Sequence, residues 1–150
     1  MNRFVSSRPF AFVLAAVSVF ALATPAQAVV RGHVSRGTAH FTSATSFAGE
    51  GFATHLGPYT EVGTIQITPT ADPTVLQVNA ASIYTGINGE ELHAVFTGQL
   101  NGLTGVITAT VTYVGGTGRF ANASGTATLS GQLGPGGASL EVAVKGNIDY

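Results

Sequence analysis

The chain has 150 residues, no cysteine and no tryptophan, only 9% charged residues and a formal net charge of −1. Cysteine nucleophiles, thiolate metal sites, dithiol redox chemistry and lipidation on cysteine are therefore excluded. The length suits a single domain with one core.

The first segment reads as a targeting sequence. Arg3 and Arg8 form a positive start, "FAFVLAAVSVFALAT" (10–24) is a short apolar core, and "AQA" (26–28) is a small-residue cleavage pattern. Residues 1–28 are expected to be a signal peptide and 29–150 the mature domain, secreted or periplasmic, with no membrane span after cleavage. An uncleaved anchor is the competing reading; the short apolar core, directly followed by small residues, favours cleavage. The mature part keeps Arg31, Arg36, Arg119 and Lys145 against seven carboxylates, a net charge of −3. With no basic stripe, nucleic acid is not an expected partner.

No stretch after residue 28 carries a capped helical stripe; period-two alternation recurs instead. "RGTAHFTSATSF" (36–47) reads as the first strand region and "HLGP" (55–58) as a turn. A strand around "VGTIQIT" ends at "PTADP" (69–73), and "TVLQVNAASIYTG" follows up to the Asn-Gly hairpin "NGE" (88–90). In "ELHAVFTGQL" (91–100), Leu92, Ala94, Phe96, Gly98 and Leu100 share one face. "NG" (101–102) joins the next pair, and "TYVGG" leads into a glycine corner. "RFANASGTATLSGQL" (119–133) alternates from Ala121 onward, "GPGG" (134–137) turns, and the last strand places Leu140, Val142, Val144, Gly146, Ile148 and Tyr150 on one face.

The reading is about eight antiparallel strands with short connections, an all-β fold. The final strand is expected to pair with the first, closing a single barrel without edges. An open sandwich remains the alternative, because alternation does not report closure.

Gly116, Gly118 and Ala121 satisfy a dinucleotide-type G-x-G-x-x-A spacing, but that motif needs a helix after the glycines. The residues that follow alternate as a strand, so the loop reads as a structural corner. Gly115, Gly116 and Gly118 permit special angles or close approach. Phe120 covers the bend, Ala123 and Gly125 make room for a bulky neighbour, and Arg119 reaches strand-end carbonyls or a carboxylate such as Glu61.

This corner, "GGTGRF" followed by Ala123 and Gly125, resembles the signature of the barrel superfamily that contains plant allene oxide cyclases and dirigent proteins. "ATHLGPYTEVG" (53–63) and "NGEEL" (88–92) look like further segments of its bacterial secreted members, which often carry Asp where Glu90 stands. The resemblance implies an eight-stranded calycin-like barrel with a largely apolar lumen, commonly a homo-oligomer, the trimer above all. It also raises an isomerase or cyclase as a possible activity. The family's functional acids, arginines and tyrosines match no positions here, so only the architecture transfers.

The candidate pocket or mouth residues are His55, Tyr59, Glu61, Tyr84 and Tyr113. Acid–base work needs a titratable group in a pocket, and His55, Tyr59 and Glu61 form the densest polar group in the chain. The plainer reading is a turn in which His55 bonds to backbone. Tyr84 and Tyr113 sit within strands, where they line a cavity or belong to the core. His93 shares a wet face with Glu91, and His33 lies near the mature N-terminus, where mobility is expected. The four histidines show no ligand spacing, so no metal is expected, and no motif asks for a cofactor. Three functions remain open: a barrel that binds a small apolar or amphipathic ligand, an isomerase acting by confinement, and a packed structural protein. They differ in the cavity they require.

Overall fold

The computed structural model describes residues 29–150; the expected leader, 1–28, lies outside them. Eight strands follow one another: β1 (Val30–Phe41), β2 (Ser46–Ala53), β3 (Gly57–Pro69), β4 (Val75–Gly86), β5 (Glu91–Asn101), β6 (Val106–Gly116), β7 (Ser124–Leu133) and β8 (Ser139–Asp149). They form a closed antiparallel barrel in sequence order, so every strand pairs with its chain neighbours. β8 returns to β1 in continuous register from Val30↔Asp149 to His40↔Ser139. Closure leaves no strand edge, and the sandwich alternative falls.

The alternation sets the two faces. In β6, Ile107, Ala109, Val111 and Tyr113 are buried while the threonines between them are exposed. β5 and β8 place the predicted apolar sets inside. Phe120, Leu92, Ile148, Val78 and Val111 are the largest fully buried side chains. Each gains about 1.5–3 kcal/mol by leaving water.

Small residues in the wall let large ones cross the lumen. An ideal Cβ on Gly37 or Gly51 would stand 2.7 or 2.6 Å from the Tyr59 hydroxyl, so those two glycines make the space that the tyrosine fills.

The barrel has two unlike ends. Turns at 42–45, 70–74, 102–105 and 134–138 form the hairpin end. Turns at 54–56, 87–90 and 117–123 form the opposite, terminal end, beside Val30 and Asp149. There Phe120 is fully buried with its ring 4.8 Å from that of Tyr150, and the Arg31 guanidinium lies 4.4 Å over the Tyr150 ring. Leu56, Leu92 and Ile148 complete the seal.

The glycine corner belongs to this seal. Gly118–Phe120 is a single 3₁₀ turn, and β7 starts only at Ser124. No helix follows to hold a pyrophosphate. The alternation therefore begins later than the sequence suggests: Ala121 lies in the turn and is exposed, whereas Ala123 is buried. Gly115 and Gly118 have φ of +109° and +57°, angles that a Cβ disfavours, and Gly116 presses on the Glu91 backbone. Arg119 corrects another expectation. Its carboxylate is Glu90, with Nε to Oε2 at 2.9 Å, and its guanidinium also donates to the His55 carbonyl. Glu61 is out of its reach because that side chain points into the lumen.

Candidate functional site

Odd-numbered positions of β3 and even-numbered positions of β4 face inward, which brings Tyr59, Glu61, Ser82 and Tyr84 together inside the barrel. Glu61 is paired directly with Tyr84 across the two strands and diagonally with Ser82. The Ser82 hydroxyl donates to Glu61 Oε1 at 2.5 Å. The Tyr59 hydroxyl shares a 3.0 Å hydrogen bond with Ser35 Oγ, and its ring meets Tyr84 edge-on at 5.1 Å.

Burial dominates the titration of this group. It raises the Glu61 carboxyl above the ordinary carboxylate range, and hydrogen bonds from Ser82 and Tyr84 only partly oppose it. Burial likewise raises Tyr59, Tyr84 and Tyr113 above the ordinary phenol range. All three phenols are neutral over the physiological range and available as donors and acceptors.

From this polar cluster toward the hairpin end the lumen turns apolar. Ile65, Val78, Phe96, Ala109 and Leu129 line a pocket whose mouth is edged by His40, Phe41, Phe47 and Leu140, with Glu61 and Tyr84 at its deep end. About 50 Å³ of it admits the centre of a water-sized sphere, room for a few waters. The pocket can take the end of a narrow molecule, and its one carboxyl lies shielded at depth beside the Tyr84 phenol.

The candidate residues thus divide. Tyr59, Glu61 and Tyr84 meet in the lumen, and Glu61 and Tyr84 line the pocket. Tyr113 is buried nearer the terminal end, with its ring 5.2 Å edge-on from His33. His55 stands apart from Glu61. It occupies the β2–β3 turn with φ +77°, and its Nε2 lies 2.8 Å from the Gly32 carbonyl oxygen.

Two features were missed in the sequence. His33, expected to be mobile, is an inward residue of β1 only 3% exposed. Burial, and then the neighbouring His55, lower its pKa to about 4. Ser35 and Ser82, also buried, supply the hydrogen bonds to Tyr59 and Glu61. Extending the alternation back from Ala39 through Gly37 would have placed His33 and Ser35 inside. His93 lies on the outer face with Nε2 3.0 Å from Glu91 Oε2.

Among the described residues, no three His, Asp or Glu side chains gather where a metal could be held. No helix there is long and apolar enough to cross a membrane. No family model, curated protein or solved structure matches the chain.

Proposed function

We propose that this is an exported barrel that binds a small apolar or amphipathic molecule through the hairpin-end pocket. The observation that carries the reading is the polarity gradient along one closed lumen. The mouth is edged by half-buried Phe41, Phe47 and Leu140 with exposed His40 beside them, the walls are aliphatic and aromatic, and a single carboxyl held by Ser82 waits at depth. The pocket's size selects a slender group that enters end first. The likeness of the glycine corner to the allene oxide cyclase and dirigent-like superfamily supports the same reading, and the leader-like residues 1–28 support a secreted or periplasmic location. Glu61, Tyr59 and Tyr84 are the groups on which an isomerase activity would depend.

The test is titration of the purified protein with an environment-sensitive apolar dye. Saturable binding that Ala80→Phe abolishes and Arg119→Ala leaves intact is expected, since Ala80 lines the pocket and Arg119 lies at the other end. A dye that finds no saturable site overturns the proposal. That outcome favours the second reading, a packed structural barrel, for which the modest cavity volume speaks.

A further inference from the structure

The lumen has a second compartment, between Tyr84 and the terminal end, lined by His33, Ser35, Leu56, Tyr84, Tyr113 and Val144 among others. About 10 Å³ of it admits the centre of a water-sized sphere, which is the space of one water. His33 Nδ1 is wholly buried, and among the described residues no donor or acceptor reaches it. Buried ring nitrogens are ordinarily partnered, because leaving one dry forfeits the hydrogen bond that it makes in water.

Three hydroxyl-bearing side chains line the same space: Ser35, Tyr84 and Tyr113. Ser35 is bonded to Tyr59, yet a hydroxyl with two lone pairs and one proton has capacity left. We propose that this compartment is a binding site for one ordered water, held by His33 Nδ1 together with the hydroxyls that face it.

The chemistry points to water over an ion. The compartment is lined by neither a carboxylate nor an Arg or Lys. His33 itself is held neutral by burial, with His55 beside it. A neutral imidazole presents one donor and one acceptor nitrogen, and water answers either tautomer. Anything larger is excluded by the volume. Tyr84 also lines the apolar pocket and stands opposite Glu61 in the β3–β4 register, so the water sits directly behind the pocket's deep wall. The site stands whether or not that pocket holds a ligand.

The experiment is an atomic-resolution crystal structure of the unmodified protein, with water-to-protein magnetisation transfer measured by NMR in solution. One water at hydrogen-bonding distance from His33 Nδ1 and from at least one of Ser35, Tyr84 and Tyr113 is expected, with transfer to the His33 and Tyr113 amides. A dry cavity overturns the proposal, as does a His33 ring turned onto a protein acceptor with the cavity closed. Neither result depends on the dye titration, so the two readings fail separately.

Discussion

Ser82 and Glu61 are diagonal neighbours on β4 and β3, and the serine hydroxyl reaches the carboxyl at 2.5 Å inside the barrel. Burial disfavours the ionised form of Glu61, so its folded pKa lies above its unfolded value. The contribution of the neutral carboxyl is complete below the unfolded pKa and is lost as pH rises through the folded pKa. Glu61→Gln keeps the shape and an acceptor for Ser82 but never ionises. The variant is expected to exceed the native protein in stability by on the order of 1 kcal/mol near pH 8, and to match it in mild acid. Thermal melts across that range decide the matter; parallel curves would contradict the assignment.

His33 has the opposite pH dependence. Its pKa falls from 6.5 when free to about 4 in the barrel, so the unfolded chain binds the extra proton first. Stability tied to His33 is therefore present above 6.5 and is lost as pH drops toward 4. The groups facing it are the stacked His55 ring at 6.2 Å, the Tyr113 edge at 5.2 Å, and the lining residues Ser35 and Tyr84. His33→Phe, permanently neutral, should show a shallower loss of stability with acid in urea titrations. An unchanged slope would move the acid sensitivity elsewhere.

Two glycines separate backbone angle from crowding. Gly136 has φ +75° with nothing within 4 Å of an added Cβ, while Gly118 has φ +57° with the Glu90 side chain against it. Gly136→Ala should cost about 1 kcal/mol through the angle alone. Gly118→Ala should cost more, roughly 2 kcal/mol, because the Glu90 carboxylate that accepts from the Arg119 backbone N–H must also move. Equal losses, read from denaturant midpoints, would refute the contrast.

Adjacent residues at the corner should differ even more. Phe120 is fully buried, and Phe120→Ala is expected to cost about 3–5 kcal/mol. The Arg119 side chain of the ion pair is 46% exposed, so Arg119→Ala should cost under about 1 kcal/mol. Similar losses at both positions would mean that the corner is held by charge more than by packing.

The alternation of β5 and β8 was legible because their inward sets are wholly apolar or glycine, and the turns at 69–73, 88–90, 101–102 and 134–137 were legible from their Pro, Gly and Asn. β1 was harder. Its inward set includes His33 and Ser35, which look like surface residues until their partners arrive from other strands; Ser35 meets Tyr59 across 24 positions of chain. Sequence proximity misled in the reverse direction for His55 and Glu61. They stand only six positions apart, yet an extended strand carries about 3.3 Å per residue, enough to place one in the end turn and the other in the lumen. Ser82 gave no signal beyond its parity with Tyr84. The start of β7 was misplaced because Ala121 keeps the period by accident within a turn.

The β1–β8 pairing also governs the timing of assembly. β1 is made before the other strands but cannot find its second partner until the eleven residues of β8 emerge. Until then β1 and β7 each present an unpaired flank, so the nascent chain is a curled ribbon with two adhesive margins. A polypeptide cut before Ser139 would keep seven strands and both margins, and would be expected to self-associate into aggregates.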